Sequence, residues 1–306
     1  MGTKVDTIAQ RSGRHRSTIY REIKRNTKGE RYMPGKAQAL AKERHPHPPN
    51  KIDTLASLNK FILDGLSKGW SPEQISGRML NIKADFYACH ESIYRYVYQH
   101  KKNNLYQLLP RKNPKRGCRN TRKIHQKTHL LQRNIVHRPE EVNLRNTLGH
   151  WEGDTIHFPK NQISCVSTLV ERKSRFLCLR KNENKTSPAV IKKICNAIIS
   201  SPRKIWQSLT LDQGSEFMGY PYLEHKTKCK GFFCDPRSPW QRGSNENMNG
   251  RLRRYLPKKH LIDKTSQEDL DRIVILVNNT PRKCLGYQTP QEVFIQHWKT
   301  FRRATL

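Results

Sequence analysis

The sequence predicts an α/β domain preceded by small all-α modules. In its C-terminal half, three strand candidates follow one another and a helix candidate separates them from two more, which is typical of a sheet flanked by helices. The N-terminal half contains short amphipathic helix candidates instead. Positive charge is concentrated there, with 31 Lys plus Arg against 11 Asp plus Glu in residues 1–150. The predicted domains are 1–45, 46–109, 110–146 and 147–306.

The first predicted module, residues 1–45, has the pattern of a helix-turn-helix. Ala9 is small where two helices would approach, Gly13 suits the turn, and Ile19 would seat the second helix. That second helix, predicted from Arg16 to Arg25 and capped by Ser17-Thr18, would serve as a recognition helix. Its basic residues, expected to face DNA phosphates or base edges, are Arg16, Arg21, Lys24 and Arg25. An ordinary amphipathic hairpin with a solvated basic face is the alternative.

A second helical DNA-binding module is predicted in residues 46–109, and a proline-rich linker at 45–50 lies between the two modules. Ser71 and Pro72 supply a cap and a first helical residue, so a helix begins there. Another helix is predicted from His90 to Gln99. The residues of its apolar face, which we expect to form core rather than to stack on bases, are Ile93, Tyr94, Val97 and Tyr98.

A basic segment joins these modules to the α/β domain. The stretch Pro110 to Arg133 has nine Lys plus Arg and no acidic residue, with Pro and Gly interspersed. Such a composition does not bury a core of its own. It predicts either a solvated tether or an arm that DNA orders, and we favour the arm because it joins two modules expected to handle DNA.

The C-terminal domain, 147–306, contains three acidic residues in informative settings. Its predicted strands are 150–158, 163–170, 174–181, 206–212 and 230–235, and its predicted helices are 186–200, 244–256, 266–279 and 289–298. Asp154 would project from the first strand, and Asp212 would end the fourth, directly before Gln-Gly. Glu246 would lie in the first turn of a helix. Asp235 also ends a strand, but we interpret it as part of a structural turn.

These three carboxylates predict a metal-dependent site for phosphoryl transfer. At about 4 Å and an effective dielectric of about 20, two carboxylates repel by about 4 kcal/mol, so three together need protons or cations. Hard oxygen ligands favour Mg²⁺ or Mn²⁺. Two such ions can support an in-line displacement at phosphorus. Arg253, seven residues after Glu246, would lie on nearly the same helix face and meet a phosphate.

Four sequence segments, in this order and spacing, resemble the transposases of the insertion-sequence-thirty family, which are bacterial DDE recombinases. The segments are GHWEGDTI, LDQGSEF, DPRSPWQRGSNENMNGRLRRYLPK and PRKCLGYQTPQEVF. The resemblance covers nearly the whole chain. It implies a ribonuclease-H-like mixed sheet in an integrase-like catalytic domain, with Asp154, Asp212 and Glu246 as metal ligands. Gln213 and Gln241 depart from the family pattern, and neither belongs to the triad.

The resemblance also implies a function and partners. The expected protein is a transposase that binds the terminal inverted repeats of an insertion sequence, acts on target DNA, and assembles as a homo-oligomer on double-stranded DNA. A catalytically silent remnant that represses at the element ends is the alternative, and a general nuclease is a third possibility. Family members usually have a further helix before the segment that begins at Ile8. This departure predicts a truncated first module and leaves its recognition of the repeats open.

Composition favours the same class of partner. The formal net charge of +34 attracts phosphate polymers. No apolar run approaches the roughly 18 residues of a membrane-spanning helix, and no leader pattern opens the chain, so we expect a cytoplasmic protein. The eight cysteines have no framework spacing and are expected to be reduced. A zinc site is the alternative, formed by His125 and His129 or by His225, Cys229 and Cys234.

Overall fold

The computed structural model describes residues 4–27, 31–44, 50–100, 104–110, 133–159, 161–235 and 238–303. The chain forms two compact units, residues 1–54 and 55–306. Most of the predicted linker at 45–50 and of the basic segment 110–133 lies outside the described residues, as do His125 and His129. The division into four functional domains therefore remains a prediction.

The first unit is helical. Its helices are α1 (Val5–Ser12), α2 (Arg16–Asn26), α3 (Pro34–Arg44) and α4 (Lys51–Thr54). Gly13 closes α1 with a φ of 62°, as the predicted turn requires, and Ala9 is buried. The predicted cap was wrong by a few residues. His15 occupies the N-cap position of α2, and its Nδ1 accepts a hydrogen bond from the Ser17 backbone N–H at 3.3 Å.

The second unit begins with three helices: α5 (Ala56–Ser67), α6 (Pro72–Asn81) and α7 (His90–Gln99). The predicted start of α6 is confirmed, because Ser71 and Gln74 form a capping box. On α7, Ile93 and Val97 are buried as predicted. Tyr96 is also buried, and its hydroxyl accepts a hydrogen bond from Asn59 Nδ2 at 2.9 Å. The apolar face of α7 is therefore rotated slightly from the predicted one, with Tyr94 and Tyr98 half-buried at its edge.

Helix α6 packs on the C-terminal part of the same unit. Gln74 Nε2 donates to the carbonyl oxygen of Pro281 at 2.6 Å. Arg78 Nη1 donates to Glu292 Oε2 at 2.8 Å. Gly77 lies so close to the ring of Tyr287 that a Cβ there would approach a ring carbon to 2.2 Å. Only a residue without a side chain fits this contact, so Gly77 allows the helices and the sheet domain to form one unit.

A five-stranded mixed sheet flanked by helices forms the rest of the unit, as predicted. Its strands are β1 (His150–Ile156), β2 (Cys165–Glu171), β3 (Leu177–Asn182), β4 (Ser208–Leu211) and β5 (Lys230–Phe233). Its helices are α8 (Glu140–Leu144), α9 (Ser187–Ile199), α10 (Tyr220–Thr227), α11 (Gly243–Leu252), α12 (Gln267–Asn278) and α13 (Pro290–Arg303). The strand order is β3-β2-β1-β4-β5, with β1 antiparallel to β2 and parallel to β4.

Each face of the sheet has its own apolar core. On one face, α9 packs over Trp151, Leu209 and Leu211. On the other face, α11 and α12 pack over residues that include Ile156 and Val166. Because side chains alternate along a strand, the even-numbered positions of both β1 and β4 point toward the α11 face.

The helix predicted over 244–256 ends earlier, at Leu252. The four residues that follow form turns, and the backbone N–H of Leu256 donates to the Leu252 carbonyl at 2.7 Å. Pro257 disfavours helical geometry in the residue before it, which explains why no further helical turn forms. Leu256 is still fully buried, so the turn keeps the apolar contact that the helix was expected to make.

A buried ion pair connects β1, β2 and α11. Arg172 Nη1 contacts Glu152 Oε1 at 2.6 Å, and the two side chains are 4% and 0% exposed. Glu152 Oε2 accepts the backbone N–H of Asn245 at 2.9 Å. The Asn245 side chain donates to the Glu152 carbonyl and accepts from Thr168 Oγ1, at 3.1 and 2.9 Å. These contacts fix the first turn of α11 against the middle of the sheet.

None of the helices in the described ranges has both the length and the apolar character needed to cross a bilayer.

We predict that Arg172→Met lowers the free energy of unfolding by about 3 to 5 kcal/mol, because it leaves the Glu152 carboxylate buried without its counter-charge. Chemical denaturation at neutral pH measures this loss. Arg272→Met is the matched control, since Arg272 is 77% exposed beside Asp269 and its pair is worth at most about 1 kcal/mol. Equal losses in the two variants would contradict a structural role for the buried pair.

Candidate active site

The parallel register of β1 and β4 brings Asp154 and Asp212 together. Glu152 lies opposite Thr210 in this pair, so two residues further along Asp154 comes level with Asp212. Both positions are even-numbered and face α11. Thus the sheet places these two carboxylates side by side at the carboxyl ends of neighbouring parallel strands, where open α/β sheets bind ligands.

The guanidinium of Arg242 bridges the two carboxylates. Its Nη1 lies 3.1 Å from Asp154 Oδ1, and its Nη2 lies 2.8 Å from Asp212 Oδ2. Nη1 also donates to the carbonyl of Gly153 at 2.9 Å. The Arg242 side chain is only 14% exposed. A single positive group therefore offsets two neighbouring negative charges at this site.

The pKa values reflect this balance of charge. Burial raises the pKa of Asp212, and the carboxylates of Asp154 and Glu216 add to the rise, whereas Arg242 opposes it. Burial lowers the pKa of Arg242, but Asp154 and Asp212 more than offset this, so its pKa is raised. The pKa of Asp212 therefore stays raised even though the Arg242 guanidinium lies beside it.

Neutral donors fix the orientation of both carboxylates. Asn249 lies one helical turn after Asn245 on α11, and its Nδ2 donates to Asp154 Oδ2 at 2.7 Å. The backbone N–H of Thr155 donates to Asp154 Oδ1 at 2.9 Å, and that of Gly214 to Asp212 Oδ1 at 3.0 Å. Asp154 and Asp212 are therefore preorganised as a pair of hard oxygen ligands.

Glu246 lies in the first turn of α11, as predicted, but its side chain does not join this pair. It is exposed and lines a cavity of about 660 Å³ together with Arg251 and Arg254. The face of α11 that meets the sheet is occupied by Asn245 and Asn249, and a helix turns by about 100° per residue. Within the described residues, no three Asp, Glu, His or Cys side chains are grouped to hold a metal ion.

Glu216 is a fourth carboxylate that the sequence reasoning missed. It lies four residues after Asp212, on the short 3₁₀ helix Ser215–Phe217. Thr155 Oγ1 donates to Glu216 Oε1 at 2.6 Å, and His157 Nε2 lies 3.5 Å from the same oxygen. Hydrogen bonding from His157, and also from Thr155, lowers the pKa of Glu216 to about 2. Its position in the segment LDQGSEF could have indicated this, because the turn after Asp212 brings Glu216 back to the end of the strand.

Arg253 does not lie on the helix face of Glu246, as was predicted, but at the C-terminal end of α11. It is the C-cap residue, and its Nη2 donates to the carbonyl of His157 at 3.2 Å. Its guanidinium lies over the ring of Phe158, 5.5 Å from the centroid. Because the helix ends at Leu252, Arg253 is held beside the end of β1.

The predicted DNA-contacting residues of α2 lie in the first unit and are exposed; they are Arg16, Arg21, Lys24 and Arg25. Arg16 Nε lies 3.8 Å from Asp6 Oδ1 in an ion pair that is exposed on both sides. All four side chains are therefore accessible to a partner. Contact of these four residues with DNA stays a prediction.

Asp235 has a structural environment. Its carboxylate accepts hydrogen bonds from Asn134 Nδ2 at 2.8 Å and from Gln241 Nε2 at 2.9 Å, and its backbone N–H donates to Gln241 Oε1 at 2.8 Å. These bonds join the end of β5 to the segment before α11, which agrees with the turn assigned to it from the sequence.

The zinc alternative built on Cys229 and Cys234 is wrong. Both thiols are buried, and burial raises the pKa of each to about 12. His225 is exposed on α10. These three side chains form no metal-holding cluster, and neither do any others in the part of the chain that the structure describes.

Several known proteins are similar to this chain. The transposase InsI for insertion sequence element IS30C of Escherichia coli (strain K12) is 36% identical over 304 residues, with 94% of this chain and 78% of that protein covered. The transposase for IS1086 of Cupriavidus metallidurans is also 36% identical, with 94% and 88% covered. The catalytic core of BIV integrase overlaps 51% of this chain and 99% of its own, with a TM-score of 0.40 and 19% identity. No protein-family model matches.

We predict that Arg242→Gln makes the protein more responsive to divalent cations. Without the guanidinium, Asp154 and Asp212 repel each other, so Mg²⁺ or Mn²⁺ should raise the melting temperature of the variant by roughly 2 to 4 °C more than that of the unaltered protein. Adding Asp154→Asn to this variant should remove the extra rise. Equal rises in Arg242→Gln and the unaltered chain would show that Arg242 does not occupy the cation position.

Proposed function

This chain belongs to the IS30 family of transposases, and we propose that it binds the ends of an insertion sequence and catalyses metal-dependent cleavage and strand transfer of DNA. It is then a DDE transposase with an integrase-like, ribonuclease-H-like catalytic domain in residues 147–306. The observation that carries the proposal is the pair of preorganised carboxylates, Asp154 and Asp212, held around one positive group.

The residues present suit a divalent metal ion in part. Asp154 and Asp212 offer hard carboxylate oxygens, and positive charge is already favoured between them. We propose that they bind Mg²⁺ or Mn²⁺ in place of the Arg242 guanidinium, and that two ions act during the reaction. Such ions would activate the attacking oxygen and stabilise the leaving oxygen of an in-line displacement at phosphorus.

Glu246 is the proposed third ligand. It lies on the helix that also carries Asn249, whose side chain contacts Asp154. Its exposure allows its long side chain to change rotamer without disturbing packed atoms. The buried contacts of Asn245, the residue before it, hold its backbone in place. The chain therefore fixes the position of Glu246 on the helix while leaving its carboxylate adjustable.

DNA is the proposed partner, as terminal repeats and as target. The net charge of +34 supplies long-range attraction to the phosphates. We propose that α2 reads the ends through Arg16 and Arg21, that Lys24 and Arg25 grip the backbone, and that Arg253 contacts a phosphate near the cleaved bond. Assembly as a homo-oligomer on DNA belongs to the same proposal. The silent-repressor alternative is not favoured, because the two aspartates are both present and aligned on neighbouring strands.

The proposal requires each of the three acidic residues. We predict that Asp154→Asn, Asp212→Asn and Glu246→Gln each abolish Mg²⁺-dependent cleavage of a duplex carrying the element ends, and that each leaves DNA affinity within about twofold. Asp235→Asn is the control, because its hydrogen bonds are structural, and it should retain measurable cleavage. Cleavage at the unaltered rate by any of the three variants would remove that residue from the site.

Base reading by α2 is tested by specificity rather than by affinity alone. A bidentate contact from Arg16 or Arg21 to guanine contributes roughly 1 to 3 kcal/mol of discrimination, whereas a phosphate contact weakens all sequences alike. We predict that at least one of Arg16→Ala and Arg21→Ala reduces the ratio of affinities for element-end and scrambled DNA by about five-fold or more. An unchanged ratio in both would assign sequence reading to another part of the chain.

A further inference from the structure

A cavity on one side of α11 is lined by positive side chains. It has a volume of about 480 Å³ and is bordered by one face of α11, the β2–β3 turn, the end of α8 and the loop after α12. Its charged lining residues are Arg145, Arg175, Arg251, Arg282 and Lys283. Of the described residues that line it, none is acidic. We call it the basic cavity.

Arg282 is buried in the wall of the basic cavity without a carboxylate partner in the described structure. The residue is only 5% exposed. Nη2 donates to the carbonyl of Val277 at 3.1 Å, and Nε has no hydrogen-bond partner among the described residues. Burial, and then repulsion by Arg251, lowers the pKa of Arg282 to about 9. An incoming anion would relieve both costs.

Among the described residues, no carboxylate forms an ion pair with the neighbouring Arg175 or Arg251. Arg175 Nη1 donates to the hydroxyl of Ser244, and Arg251 Nε donates to Asn247 Oδ1 at 3.0 Å, so both partners are uncharged. Burial lowers the pKa of Arg145, and the cation of Arg175 lowers it further. Mutual repulsion of this kind is typical of a site that gathers an anion.

The basic cavity adjoins the cavity that Glu246 lines. Four residues line both: Gly243, Asn247, Arg251 and Arg282. We propose that the basic cavity binds a backbone phosphate of the DNA strand that the catalytic site cleaves. The planar guanidinium groups suit the oxygens of a phosphate, and DNA presents such groups along its length. The identity of the anion rests on the proposed function, whereas the cavity itself does not.

Salt dependence of DNA binding tests the proposal. Affinity of the full chain for a duplex of about 30 base pairs would be measured against salt concentration, without divalent cations so that no cleavage occurs. The double variant Arg175→Gln with Arg251→Gln should bind about tenfold more weakly at moderate salt. Its log–log slope should be shallower by about 0.9 for each phosphate that the variant no longer binds.

The matched control removes the same charge elsewhere. Arg203→Gln with Lys204→Gln also lowers the net charge by two, but both residues are exposed on the segment before β4. Its slope should remain near that of the unaltered chain. The double variant Arg175→Lys with Arg251→Lys keeps the charge and should retain most of the slope, which separates loss of binding from loss of folding.

Each outcome decides the proposal. Equal salt slopes in the variant Arg175→Gln with Arg251→Gln and in the control Arg203→Gln with Lys204→Gln would overturn the proposal. A second experiment measures stabilisation of the chain by inorganic phosphate. The proposal would also be overturned if phosphate stabilised the unaltered chain but not the variant Arg175→Gln with Arg251→Gln, while both bound DNA with the same salt slope. The cavity would then hold a free anion rather than a DNA phosphate. Absence of cleavage by the unaltered chain would contradict the proposed function, yet the slope comparison would still report on the cavity.

Discussion

The buried contact between Glu152, Arg172 and Asn245 is the constraint on which the site depends. It attaches the first turn of α11 to the strand that carries Asp154. Without it, α11 would be held to the sheet mainly by apolar packing, which is not directional. Hydrogen bonds to a buried carboxylate are directional and costly to break, so they determine how α11 is rotated over the sheet. That rotation places Asn249 on Asp154.

Positively charged side chains lie on both sides of α11. On the sheet side, one guanidinium from Arg242 lies between two carboxylates and is held by them. On the other side, the arginines of the basic cavity have no such partners among the described residues. The first arrangement offsets one of the two negative charges in the structure as it stands. The second leaves excess positive charge next to Glu246, where a negatively charged substrate would be attracted.

Much of this architecture follows from local pattern. The apolar segments around Asp154 and Asp212 form β1 and β4, and Ser71 with Pro72 begins α6, because propensity and capping act between residues close in sequence. Element ends were less predictable. The helix expected to reach residue 256 ends at Leu252, since a proline five residues later and burial of Leu256 outweigh helical propensity.

The sequence by itself determined an α/β domain, the order of its elements, and the positions of Asp154 on a strand and of Asp212 at the end of another, because strand alternation and turns depend on residues that are close together in the chain. The mixed sheet was expected from the family resemblance. Only the tertiary structure decided that Arg242 bridges them, that Glu216 joins from a turn, that Glu246 points to another cavity and that Arg282 is buried without an acid beside it. Each of these depends on contacts between residues far apart in the chain. Their distances follow from strand register and helix rotation, which composition and spacing do not specify.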